Sequence, residues 1–207
     1  LRRLNDVLGE SVRLAILDDR NALVVDEVAA SNRLTVSGSI GRRVPAHASA
    51  MGKTMLAHLD AEALRRMFKD GSLSSETPNT ITALSALEAE LVIIRARGYA
   101  LAVEELDVGV TSVAAAILDH NNQPLGAIGV SVPTARLSRD QAHSIGREVF
   151  EAASRISGNV GRRLLTVLEV PPQRVAPDPS IHVLAKSEAF IGESPVDMPK
   201  TGEDAWV

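Results

Sequence analysis

The order of elements along this sequence predicts an α+β fold with an antiparallel sheet of about six strands. Three strands are expected before three helices, and three more strands follow before a long closing helix. Runs of strands separated by runs of helices are typical of α+β domains, whereas a parallel sheet alternates strand and helix. Short polar turns at 18–21 and 120–124 also predict hairpins, which only antiparallel neighbours form.

Hydrophobic periodicity places each element along the chain. Segments rich in β-branched and aliphatic residues predict strands over residues 12–17, 22–29, 33–37, 99–103, 112–118 and 125–132. Apolar residues at three- and four-residue steps predict helices over residues 1–8, 50–58, 61–68, 85–97 and 139–165. Ser49 and Asp60 are suited to cap the second and third helices, and Gly98 is a typical glycine at a helix end. Residues 38–45 are expected to form a loop.

The composition excludes several classes of protein. The formal net charge is −4, whereas a domain that binds duplex DNA by itself usually carries a basic surface. The 207 residues contain no cysteine, which excludes disulfides, thiolate metal sites and thiol catalysis. No apolar stretch approaches the roughly 18 residues of a membrane span, so we expect no membrane partner. Charges in the first six residues argue against a signal peptide, and we expect a cytoplasmic protein.

The segment Gly52-Lys53-Thr54 resembles the end of a phosphate-binding loop, but the rest of that motif is missing. The motif needs a glycine five residues before Gly52, and His47 stands there instead. The five histidines are dispersed without the spacing of metal ligands. We therefore expect neither a cofactor nor a metal.

The start of the second helix is the first candidate for a binding site. Its first turn, residues 50–52, exposes backbone N–H groups that can hold a carboxylate. Small residues on a facing strand, Gly129 and Ser131, leave space for such a ligand. One alternative is a small hydrolase or lyase that uses His47 with Glu104 or Glu105, although the sequence has no G-x-S-x-G elbow. A purely structural assembly module is the other alternative.

Three segments together resemble the IclR family of bacterial transcription regulators. Residues 45–57 contain His47, Ser49 and Gly52-Lys53, similar to the H-x-[ST]-x-x-G-K helix start of that family. The family's R-G-Y, E-E, G-V and V-A-A landmarks follow in order at residues 97–99, 104–105, 109–110 and 113–115. Residues 125–131 are similar to its final strand, so the resemblance covers about residues 1–165.

The resemblance implies a GAF-like effector-binding domain over residues 10–167, preceded by the end of a linker helix over 1–9. It implies a homodimer or tetramer that senses a small molecule without catalysing a reaction. Operator DNA is then bound by a winged helix-turn-helix domain that this chain lacks. Residues 168–207 hold six of the ten prolines and are expected to form an acidic tail.

The same resemblance assigns a ligand pocket. Carried over by motif, its residues are Ser49, Ala50, Met51, Glu105, Val113, Ala116, Gly129 and Ser131. This chain departs from the family where Ala102-Val103 replaces acids and Thr111-Ser112 replaces Arg-Cys. The first departure makes the pocket mouth more apolar, which favours a carboxylic acid with an apolar or aromatic body.

Overall fold

The strands of the described chain form one antiparallel sheet. The computed structural model describes residues 1–30 and 40–168. The strands are β1 (Val12–Asp18), β2 (Asn21–Val28), β3 (Arg43–Pro45), β4 (Ala100–Val103), β5 (Val110–Leu118) and β6 (Pro124–Pro133). Their order is β3-β2-β1-β6-β5-β4, and β1 pairs with β6 in the centre. This pairing joins the first and the last part of the chain into one sheet.

The helices begin and end close to the predicted positions. They are α1 (Arg2–Leu8), α2 (Ala50–Leu56), α3 (Ala61–Met67), α4 (Leu84–Arg97) and α5 (Arg139–Leu168). The Ser49 hydroxyl accepts a hydrogen bond from the Gly52 amide at 3.1 Å, and the Asp60 carboxylate accepts one from the Ala63 amide at 2.6 Å. Gly98 ends α4 with φ of 87°, in the left-handed region that favours glycine. The predicted caps are therefore confirmed.

The predicted α+β class is confirmed, and one short strand was missed. Residues 43–45, expected within a loop, form β3 and pair with β2 at the edge of the sheet. A three-residue edge strand is too short to show alternation, so the sequence pattern gave no signal for it. The predicted strand at 33–37 and the predicted tail beyond residue 168 lie outside the described residues. Within the described residues, no helix is long and apolar enough to cross a membrane.

The two faces of the sheet carry different side chains. On one face, buried aliphatic side chains such as Ile128 and Val130 pack against α1 and α5 through Leu4 and Val149. The opposite face is built from small residues that lie under α2 and α4, among them Ala15, Ala100, Ala114 and Ala127. Strand alternation sends neighbouring residues to opposite faces, so each strand supplies both. The small residues let α2 approach the sheet closely.

Candidate functional site

A cavity lies between the start of α2 and strands β1, β5 and β6. Six of the eight predicted pocket residues line it: Ser49, Ala50, Met51, Val113, Gly129 and Ser131. A Cβ atom added at Gly129 would lie 3.0 Å from Met51 Cγ, so the glycine lets Met51 of α2 lie close to the strand. The buried side chain of Val113 belongs mainly to the cluster on the opposite face of the sheet.

The other two predicted pocket residues, Glu105 and Ala116, lie outside this cavity. Ala116 borders a separate groove, together with Arg95 and Phe150. Glu105 instead faces the fully buried Lys53, whose Nζ donates to Glu105 Oε1 at 2.6 Å. A role of these two residues in binding a ligand stays a prediction.

The Lys53–Glu105 ion pair stabilises the fold around the site. Lys53 Nζ also donates to the carbonyl of Leu101 in β4 at 2.9 Å, so one ammonium group joins α2 to two neighbouring segments. Burial raises the pKa of Glu105, and the charge of Lys53 opposes that shift in part. Glu105 Oε2 is buried without a hydrogen-bond partner in the described part of the chain. This side of α2 is therefore a buried electrostatic contact.

The cavity has a polar wall that sequence reasoning missed. Arg13 in β1 donates from Nη1 to Ser131 Oγ at 3.0 Å, and its Nη2 lies 3.1 Å from Glu27 Oε1. Ser131 Oγ lies 3.0 Å from Ser112 Oγ, which continues the chain of polar groups along β5. The side chains of Arg13 and Glu27 are only 5% and 8% exposed. Arg13 alternates with Val12 and Leu14, a pattern that predicts a solvent-exposed side chain, so no local signal indicated a buried guanidinium here.

A second arginine lines the cavity near solvent. Arg42 forms an ion pair with Asp107, with Nη2 3.7 Å from Oδ1, and the two side chains are 46% and 44% exposed. Burial lowers the pKa of Arg13; Glu27 opposes that shift, and the charge of Arg42 adds to it. The positive charges of two guanidinium groups therefore repel each other at one cavity.

The residues of the alternative hydrolase or lyase site are engaged in other contacts. His47 is buried, and its Nε2 donates to the carbonyl of Ser74 at 2.9 Å, while its ring packs edge-on against Phe68. Glu105 is held by Lys53 instead of His47. In residues 1–30 and 40–168, no group of three His, Asp or Glu side chains is arranged to hold a metal. The described geometry therefore gives no support to an acid–base pair.

Comparison with known proteins gives a consistent result. Residues 1–158 match the family model of the bacterial transcriptional regulator IclR C-terminal domain. The chain is 33% identical over 159 residues to the transcriptional repressor IclR of Escherichia coli, covering 76% of this chain and 58% of the repressor. It therefore spans less than two thirds of that relative.

Solved structures share the fold. The structure of Thermotoga maritima IclR matches with a TM-score of 0.74 and 30% identity, over 78% of this chain and 65% of that one. The inducer-binding domain of the transcription factor PobR from Acinetobacter, a double mutant in complex with 3-hydroxybenzoic acid, matches with a TM-score of 0.69 and 25% identity. That match covers 76% of this chain and 93% of the PobR domain.

Proposed function

Because the chain belongs to the IclR family of bacterial transcriptional regulators, we propose that it is an effector-binding and oligomerising domain that senses a small carboxylic acid. The acid binds in the cavity beside α2, with its carboxylate toward Arg13 and Arg42 and its body against apolar walls. Operator DNA is contacted by a winged helix-turn-helix domain outside this chain.

The pair of arginines is the observation that carries this proposal. Arg13 is held by Glu27, and Arg42 forms an exposed ion pair with Asp107. Two like charges that line one cavity repel each other. An anion bound between them attracts both guanidinium groups and so offsets that repulsion. A neutral ligand offers no such gain, so the cavity favours an acid.

The hydroxyl groups of Ser112 and Ser131 also favour a ligand that accepts a hydrogen bond. Ser131 Oγ accepts a hydrogen bond from Arg13, and one further hydrogen bond joins the two hydroxyls. Two hydroxyls carry two protons, of which this contact uses one. Among the described residues the second proton has no acceptor, and a carboxylate oxygen in the cavity supplies one.

The remaining walls support an acid with an apolar or aromatic body. Side chains from several elements present aliphatic or thioether surface to the cavity: Val24, Val44, Met51, Leu106 and Val110. Ala102 also lines it, at a position where the family often has an acid. The complex of the PobR inducer-binding domain with 3-hydroxybenzoic acid is in line with this ligand class.

Regulation then follows from a shift between two arrangements of a homodimer or tetramer. Arg13 lies in β1, four residues after Gly9, where α1 ends. A ligand that contacts β1 is therefore close to the helix that leads toward the DNA-binding part of the regulator. The ligand acts only through its different affinities for the two arrangements.

The test is a thermal-shift screen of matched acids and amides. Benzoate and butanoate are expected to raise the melting temperature of the wild-type chain, whereas benzamide and butanamide are not. Met51→Trp fills the cavity and is expected to abolish the shift without changing the fold or the oligomer. Turnover of a ligand would support the enzyme alternative, and no shift with any acid would support a structural module.

A further inference from the structure

Among residues 1–30 and 40–168, three ion pairs lie in or beside the cavity, and they differ in how deeply they are buried. Lys53–Glu105 and Arg13–Glu27 are buried, at 2.6 and 3.1 Å. Arg42–Asp107 is the long one, at 3.7 Å, and both of its side chains are nearly half exposed. Breaking an exposed pair costs little, whereas breaking a buried pair leaves an uncompensated buried charge. Arg42–Asp107 is therefore the pair that a ligand can exchange at little cost.

Asp107 is placed where a ligand carboxylate has to compete with it. It lines the cavity together with Arg42, and its charge also acts on Arg13. Asp107 is thus a carboxylate that pairs with one guanidinium group of the site and whose charge acts on the other. On the basis of the function proposed above, we infer that Asp107 is a tethered competitor, which pairs with Arg42 until the carboxylate of the effector displaces it.

The backbone around Asp107 is held on both sides, so the exchange needs only a side-chain movement. Before it, the carbonyl of Glu105 accepts a hydrogen bond from the Thr80 hydroxyl at 2.6 Å. After it, the carbonyl of Gly109 accepts one from the Thr134 amide at 2.8 Å. The Asp107 carbonyl itself accepts from the Val110 amide at 3.2 Å. Tethering keeps the local concentration of this carboxylate high at all times.

Two consequences follow for ligand affinity. The effector must give up part of its binding free energy to break the Arg42–Asp107 pair. Once displaced, Asp107 still lies within a Debye length of about 8–10 Å and repels the bound anion. The residue thus weakens the binding of every carboxylate and has little effect on a neutral ligand of the same shape. Half-saturation of the site therefore needs a higher concentration of acid than the two arginines alone would require.

The experiment is isothermal titration of benzoate and benzamide into the wild type and Asp107→Asn. We expect the variant to bind benzoate about threefold to tenfold more tightly, because a competitor worth up to about 1 kcal/mol and its repulsion are both removed. Benzamide binding should not change. Glu62→Gln on α3 is the matched control, because it removes one negative charge at an exposed position outside the cavity.

A double-mutant cycle tests whether the gain acts through Arg42. In an Arg42→Gln background the substitution Asp107→Asn should improve benzoate binding less than twofold, because the competing pair no longer exists. An equal gain in both backgrounds overturns the inference, and so does a wild type that binds benzoate as tightly as Asp107→Asn. If neither protein binds benzoate, the proposed ligand class fails first, and the competitor role fails with it.

Discussion

The two faces of the central sheet differ in what they bury. The face under α1 and α5 is closed by aliphatic side chains such as Ile128 and Val149. The face under α2 buries small residues together with charges, Arg13 with Glu27 and Lys53 with Glu105. Burying charge is costly unless it is paired, so the first face supplies stability at lower cost. The comparison shows that the chain places the cavity and two buried ion pairs on one face of the sheet and aliphatic packing on the other.

The largest effect is expected from a substitution that removes one partner of the buried ion pair on the α2 face. Lys53→Met should lower the free energy of unfolding by about 3–5 kcal/mol, because Glu105 is left buried and unpaired. Adding Glu105→Gln should recover most of that loss. Urea unfolding measures both, and Arg66→Met, which removes the cation of an exposed pair, should change stability by less than about 0.5 kcal/mol. A loss below about 1 kcal/mol in Lys53→Met would show that water reaches Glu105.

An intermediate effect is expected on the aliphatic face. Ile128→Ala should lower the free energy of unfolding by about 2–4 kcal/mol, since the side chain is only 1% exposed and leaves a cavity. Ile16→Ala, 39% exposed in the neighbouring strand, is the control and should cost less than about 1 kcal/mol. Benzoate affinity at a temperature where the protein is folded should not change. Loss of that affinity in Ile128→Ala would contradict the division of roles between the faces.

The smallest of the three effects is a pH dependence on the α2 face. Burial raises the pKa of Glu105, so the folded state binds its proton more readily than the unfolded state does. Glu105 then contributes fully to stability below the pKa that it has in the unfolded chain. This contribution is lost as the pH rises through the higher pKa that it has in the folded chain. Glu105→Gln lacks this titration, so the stability of the variant relative to wild type should rise with pH across this range, from a starting value lowered by the unpaired charge of Lys53. Urea unfolding between pH 4 and pH 7 measures it, with Glu62→Gln as the flat control.

Much of the fold could be predicted because its signals are local. A capping side chain lies within three residues of the amide it binds, as Ser49 and Asp60 do. Gly98 ends α4 for a reason that depends on its own backbone angle. Strand β3 was missed because three residues are too few to show a period, and its strand conformation depends on pairing with β2. The fold brings six of the eight predicted pocket residues together around one cavity.

The sequence by itself determined the α+β class, the order of the elements and the helix start that borders the cavity. Only the tertiary structure decided which charges meet there. Arg13 and Ser131 are 118 positions apart, and Lys53 and Glu105 are 52 apart. No local pattern encodes such pairs, because their distance depends on the register of β1 against β6 and on where α2 rests on the sheet. For that reason the motif assigned Glu105 to the pocket, whereas the folded chain pairs its carboxylate with Lys53.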